Sequence, residues 1–465
     1  MKRSLLSLTV LLLSAVTLVA QTTPPSDSST AQPGENSGTL TLQEAVRIAL
    51  EKNPAVQAAN AYAEAVEKGI AEARAAHLPQ VGFSENFTRS NNPVYVFGSL
   101  LTQRQFIAGD FALNTLNTPT PLDNFRTQFT ASLPLFDAGQ TGRRVRDARL
   151  NAASAAQERQ RTRQEVVYDV VKAYLNELLA RENVRVAEAS VAMTKADLAR
   201  AQARQDQGLA VPSDLLSAKV QLAQAQQDLL QAQNAVALAH AALNVEMGLP
   251  EDSTQPVEGT LAETALDAGA LAERQQRALT LRPDYLEVGL GRQRAENGTR
   301  KARAEFLPTV SLFSSWEEDN QTFAARGGNN WALGASLNFN VFDGGARRAR
   351  LAAAAARQRQ ADAQVAQMAA GVRLQVREAY LNLSTAQQRV EVSRAARSEA
   401  AESLRIVQNR YEAGLATITD LLRVETANTA AQKNYLDAVF DHRLSYAALE
   451  LATGELSANS SAVSQ

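Results

Sequence analysis

Few residues of this 465-residue chain stand in patterns that could do covalent chemistry. There is no cysteine, and the three histidines, His77, His240 and His442, lie in separate stretches with no paired motif. Disulfides, thiolate catalysis and Cys/His metal cages are therefore excluded. No Gly-rich phosphate loop, HExxH or Ser/His/Asp set is present. What recurs is of another kind. Gly208 and Leu209 precede Asp214 in "RQDQGLAVPSDLL", and Gly414 and Leu415 precede Asp420 in "NRYEAGLATITDLL". Tyr411 stands before the second Gly-Leu, and Arg423 follows its aspartate. A glycine that ends one helix and an aspartate one turn into the next describe a tight helical turn, with the carboxylate favoured by the helix dipole. Ser213 and Thr419, just ahead of the aspartates, are the expected N-caps. No enzyme activity, cofactor or metal is expected.

The two turns are 206 positions apart, and the offset extends well beyond them. "AYLNELLA" at 173–180 matches "AYLNLSTA" at 379–386, "LFDAGQ" at 135–140 matches "VFDGGA" at 341–346, and "ALNVEMG" at 242–248 matches "ALELATG" at 448–454. Nearer the start of each half the offset becomes 229, pairing Pro54 with Pro283 and "LPQ" at 78–80 with "LPT" at 307–309. The first half therefore holds 23 more residues, between Pro79 and Phe136, in an unusually apolar loop around 91–121. A repeat this long is a duplicated domain rather than a short solenoid unit.

Each half reads helix, strand, loop, strand, long helix, turn, helix. Residues 1–20, with Lys2 and Arg3 ahead of an apolar run, fit a secretory signal. Residues 21–38 are rich in Pro, Ser and Thr and read as a disordered linker. The first repeat covers 39–250, with a β-hairpin at 79–136 and a long helix at 143–204. A linker spans 251–268. The second repeat covers 269–454, with a hairpin at 308–342 and a long helix at 346–411, and 455–465 reads as a disordered tail. The 143–204 run contains neither Pro nor Gly, and at about 1.5 Å per residue it would be on the order of 90 Å long. Val167, Val171, Tyr174 and Leu178 recur at coiled-coil spacing. Such a helix suits the wall of a tube or an extended coiled-coil rod.

The strands alternate. Phe83 and Phe87 share one face; so do Phe129 and Leu133, Leu312 and Trp316, and Trp331, Leu333, Leu337 and Phe339, with small polar residues between them. Each strand is about ten residues, long enough to span a membrane as part of a barrel, with the two tryptophans at the level of an aromatic girdle. A soluble half-buried sheet alternates identically. Four strands cannot close their own edges, however, and an open edge is not allowed in a bilayer. Two copies would supply eight strands and three would supply twelve. Beyond the signal no run of about twenty apolar residues exists, so helices do not span a membrane here. A formal net charge of −2 implies no pull toward nucleic acid. The residues alone leave open a secreted structural coiled-coil protein without a pore.

Signal, duplicated plan, two hairpins and paired Gly-Leu turns together resemble the TolC-like outer membrane efflux protein family over about residues 39–454. The resemblance implies a mainly α fold with a small β part. Long antiparallel helices would form a periplasmic α-barrel, and each chain would give four strands to a trimeric 12-stranded transmembrane β-barrel. It implies an outer membrane exit duct of a tripartite efflux or type I secretion system. The partners would be two further copies of the chain, a periplasmic adaptor (membrane fusion) protein, an inner-membrane transporter and outer membrane lipid. The Gly208-Leu209 and Gly414-Leu415 turns would be adaptor-docking tips, and Asp214, Asp420, Tyr411 and Arg423 would lie at the periplasmic aperture. The chain departs from the family pattern at Ala416, where an Arg is expected, and at Arg423, where a second acidic residue is expected.

Overall fold

The computed structural model describes residues 39–464; the expected signal and linker lie outside them. Helices α1 (Leu42–Lys52) and α2 (Pro54–Ala75) lead into strand β1 (Gln80–Ser90). A connection bearing α3 (Pro93–Thr102), a short 3-10 turn (Ala108–Phe111) and α4 (Leu113–Asn117) leads to β2 (Leu122–Phe136). The long α5 (Gln140–Asp206) and its return α6 (Pro212–Glu246) complete the first half. The second half runs α7 (Leu271–Leu281), α8 (Pro283–Ala304), β3 (Thr309–Asn320), β4 (Gly328–Asn338), α9 (Ala346–Glu412), α10 (Ile418–Thr453) and a final turn α11 (Ser461–Ser464).

The duplicated motifs mark the same joints in each half. In "LFDAGQ" Asp137 accepts from the Gly139 amide (2.9 Å) and the Thr141 amide (2.5 Å). In "VFDGGA" Asp343 accepts from the amides of Gly345 (3.1 Å) and Arg347 (2.9 Å). One aspartate per half thus caps the first turn of a 67-residue helix. The glycines that close "ALNVEMG" and "ALELATG" meet the two proline breaks. A Cβ on Gly248 would come within 2.6 Å of the Lys52 carbonyl oxygen, and one on Gly454 within 2.9 Å of the Arg282 nitrogen. The helix expected to open the first half is accordingly two helices, α1 and α2. They are broken at Asn53, which caps α2 through the Ala55 amide and donates to the Glu246 carbonyl (2.8 Å each).

The main core lies where these joints stack. Leu175, Leu243, Met247, Val46 and Val56 are fully buried there, and Val167, Val171, Tyr174 and Leu178 join them. Residues 251–268 run against α5, held by a bond from Arg181 to the Val257 carbonyl (2.6 Å) and by the Tyr174 hydroxyl on the Glu258 carbonyl (2.6 Å). The tail expected to be disordered from 455 is instead ordered as far as it is described. Leu456 and Val463 are buried in the same core, and Glu450 accepts from the amides of Ser461 and Ala462. Two apolar side chains suffice to pin a Ser/Asn-rich stretch when the receiving pocket is preformed.

The strands form one antiparallel sheet in the order β1-β2-β3-β4, so β1 and β4 are its edges. Register places Phe83 opposite Phe129, Phe129 opposite Trp316, and Trp316 opposite Trp331, a continuous aromatic row. Toward the helices the same face carries Val81, Leu133, Leu312, Leu333 and Leu337. Phe339 departs from expectation. β4 ends at Asn338, opposite Thr309; the residue before Thr309 is Pro308, which has no N–H to extend the ladder. Phe339 is half exposed just past the strand, in company with Phe136 and Phe342.

Candidate functional site at the helical tips

Both tip turns end their long helix in the same way. Gly208 (φ 72°) and Gly414 (φ 75°) take the left-handed conformation, at no steric cost for glycine. The Leu209 amide bonds back to the Arg204 carbonyl (2.8 Å) and the Leu415 amide to the Arg410 carbonyl (2.7 Å). In this motif the apolar residue after glycine commonly packs back on the helix. Here Leu209 is 67% and Leu415 70% exposed. Two leucines are thus presented to the surroundings at the very end of the helical body.

The N-cap positions of the return helices lie two residues ahead of the expected caps. α6 begins at Pro212 after Val211, with no side-chain cap; proline is suited to the first helical position because its missing N–H is not needed there. α10 begins after Thr417, which forms a reciprocal capping box with Asp420. The Asp420 amide donates to Thr417 Oγ1 (3.1 Å) and the Thr417 amide to the Asp420 carboxylate (3.2 Å). Ser213 and Thr419 are therefore inside their helices, and the aspartates occupy the third position. Bonding to Thr417 holds the Asp420 carboxyl below its ordinary range, with Arg423 and Arg410 adding to the effect. Arg423 lies 3.9 Å from Asp420, and both are largely exposed, so their attraction is weak.

Tyr411 belongs to a different group. It is buried, under the guanidinium of Arg204 from the other half (5.0 Å to the ring centre). Arg204 also donates to the Tyr411 carbonyl (2.7 Å), and one turn back Arg200 pairs with Glu412 (2.9 Å). Burial raises the Tyr411 phenol, and the charges of Asp214 and Asp197 push the same way against Arg204 and Arg200. The structure thus brings Tyr411 and Asp214 into one electrostatic neighbourhood across the repeat boundary, while Asp420 and Arg423 sit on the second turn alone.

Below this group lies a cluster that the sequence reading missed. Asp197 on α5 and Glu425 on α10 are buried face to face. Arg200 bonds Asp197 (2.5 Å). Burial, then the bond and charge of Asp197, push the Glu425 carboxyl up to about 9, with Arg200 opposing. A protonated Glu425 donating to Asp197 satisfies that geometry, because two adjacent buried carboxyls cannot both ionise. The repeat offers one signal: the positions matching Asp197, Arg200 and Glu425 in the other half are Ser403, Ile406 and Lys219. A charge pattern present in one half alone marks a contact between halves.

Among the described residues no group of three or more His, Cys, Asp or Glu is placed to hold a metal ion, and no helix is long and apolar enough to cross a membrane.

Comparison with known proteins agrees with this architecture. The model of the outer membrane efflux protein family matches residues 45–249 and 275–455. Protein CyaE of Bordetella pertussis is 27% identical over 432 residues, 91% of this chain and 86% of its own length. Outer membrane efflux protein BepC of Brucella suis is 23% identical over 93% of this chain and 89% of its own. In three dimensions the chain superposes on the crystal structure of CusC with a TM-score of 0.74, covering 92% of this chain and 95% of that one at 19% identity.

Proposed function

The chain belongs to the outer membrane efflux protein family and is an outer membrane exit channel, and we propose that it works as a homotrimeric duct without catalytic activity of its own. One observation carries the reading. A four-stranded sheet with two free edges and an exposed aromatic face is joined in one chain to two 67-residue helices. Free edges cannot face lipid, so copies must join edge to edge, and three copies give twelve strands. The row Phe83, Phe129, Trp316 and Trp331 then meets outer membrane lipid as one aromatic girdle. Phe136, Phe339 and Phe342 form the second, with Leu133, Leu312, Leu333 and Leu337 between them. The helices, about 100 Å long at 1.5 Å per residue, wall a tunnel through the periplasm.

At the tunnel's end Leu209 and Leu415 are docking points for a periplasmic adaptor protein that links the duct to an inner-membrane transporter. Asp214, Asp420 and Arg423 surround the aperture. Tyr411 acts behind it, as part of the bond set that holds the tip shut. Single-channel conductance of the purified protein in planar bilayers, with its oligomer mass in the same detergent, tests the reading. A trimer with cation-leaning conductance that changes in Asp214→Ala or Asp420→Ala is the expected result. A protein that stays soluble without detergent, or inserts no channel, overturns it.

A further inference from the structure

The connection 91–121, which carries the excess of the first repeat, is folded. Asn92 caps α3 through the amides of Val94 (3.0 Å) and Tyr95 (3.1 Å). Phe106 packs edge-on against Phe97 (4.9 Å) and Phe111 (5.0 Å) in a small aromatic knot. The second hairpin spans the same place with residues 321–327 alone.

The segment is fastened to one face of the sheet. Side chains alternate along a strand, so Asn124 and Arg126 lie opposite Phe125 and Phe129, and Asp319 lies opposite Trp316. This is the polar face, turned away from the aromatic row. Gln103, 2% exposed, donates to Asn124 Oδ1 (2.8 Å) and to the Asp123 carbonyl (3.0 Å). Asn124 in turn bonds Asp319 (2.7 Å), which also takes Arg126 (3.0 Å). At the far edge Arg104 donates to the Asn329 carbonyl (2.7 Å), Asn330 reaches the Thr102 carbonyl (3.4 Å), and a Cβ on Gly328 would collide with that same carbonyl. From β2 to β4 the segment therefore crosses the outer end of the polar face and buries Asp319 completely.

If the aromatic face meets lipid, the polar face lines the barrel. We propose that 91–121 is a plug at the channel mouth. Three copies lean inward from the lumenal wall, and their outward-turned Val94, Leu101, Ile107, Phe111 and Leu113 meet across the axis and narrow the exit. These five side chains are 49–82% exposed in one chain, and a second copy of the same segment is the apolar partner that barrel closure brings to them. Cargo would then be limited by size at the mouth, independently of the periplasmic aperture. The inference rests on the duct proposed above.

Two variants of the full chain test it in planar bilayers. The first replaces 93–119 with a short Gly/Ser link; the second is Leu113→Cys, the only thiol in a chain that has none. Polyethylene glycols of graded size are added on the outer side. The expected result is that loop replacement admits polymers several-fold larger than the parent admits, and that oxidised Leu113→Cys runs as disulfide-linked dimers and conducts less until reduced. Unchanged polymer exclusion on replacement, or no cross-link between copies in an intact oligomer, overturns the plug. If neither parent nor variant forms a trimer or conducts, it is the duct itself that fails.

Discussion

The seam between α5 and α10 and the outer faces of α6 and α9 use the same duplicated helices in opposite ways. The seam that α5 makes with α10 and with the last turn of α9 is closed within the chain by polar bonds. Asp197 meets Glu425, Arg200 reaches Glu412, and Arg204 holds the Tyr411 carbonyl and ring. None of the matching positions makes the reverse set: Ser403, Ile406 and Lys219 are exposed or half-exposed, and Arg410 turns back to its own Leu415 carbonyl. The faces that would close the other way are apolar and bare, with Leu216, Val220, Leu230 and Leu238 on α6 and Leu374, Leu381, Val392 and Ile406 on α9 all more than 45% exposed. In the proposed trimer, one of the two duplicated surfaces would carry a lock inside the chain and the other would be left for a neighbour. A lasting contact between copies is well served by apolar area. A joint that must open is better served by bonds that can be exchanged for water.

The largest effect should come from charging the bare face. Leu230→Asp removes roughly 1.5–3 kcal/mol of apolar burial per copy and adds a buried carboxylate, three times over in a trimer. The expected outcome is loss of the trimer by native mass measurement, with the helical content of the monomer retained. A trimer that survives would show that α6 does not form the contact between copies.

Next is Arg204→Ala, which strikes the polar seam. It loses a charged hydrogen bond and a cation–π contact, each about 1–3 kcal/mol. The trimer should persist while tip conductance rises, because the removed bonds hold one turn to another within a chain. If conductance is unchanged, the Arg204–Tyr411 contact is not part of what closes the tip.

Glu425 gives the seam a pH dependence. Its carboxyl titrates at about 9 in the fold against an ordinary 4.5, so the native state binds more protons between those values. Stability then falls as pH rises through that window: the contribution is full below about 4.5 and lost above about 9. The thermal midpoint of the parent should drop between pH 5 and pH 9 more than that of Glu425→Gln, whose amide keeps a donor for Asp197 without titrating. Parallel curves would mean that no proton is shared.

The repeat itself was legible because side-chain identity survives at joints where only one residue type fits: Asp137 and Asp343 at the helix starts, Gly248 and Gly454 against the proline breaks. The strands were legible because alternation is a local property. The seam was not, since Asp197 and Glu425 are more than two hundred positions apart and each alone reads as an ordinary surface charge. The end of β4 was missed because the limit is set by Pro308 on the partner strand rather than by its own residues. The tail was missed because Leu456 and Val463 carry no pattern, only a pocket to enter.

The smallest effect makes the comparison sharpest, because it converts one tip into the other. The second turn has a capping box; in the first the Asp214 amide bonds only the Val211 carbonyl (3.0 Å), the valine side chain having no acceptor. Thr417→Ala should cost about 1 kcal/mol, and Val211→Thr, which lets Asp214 complete the same box, should gain about 0.5–1 kcal/mol. Both changes leave Leu209 and Leu415 in place. If the exposed leucines carry adaptor docking, affinity for the adaptor should be unchanged in both variants and fall in Leu209→Ser and Leu415→Ser, as surface plasmon resonance would read. If Val211→Thr alone weakened docking, the uncapped start of α6 would be a feature kept for its looseness, and the first tip would be the one that yields when the partner binds.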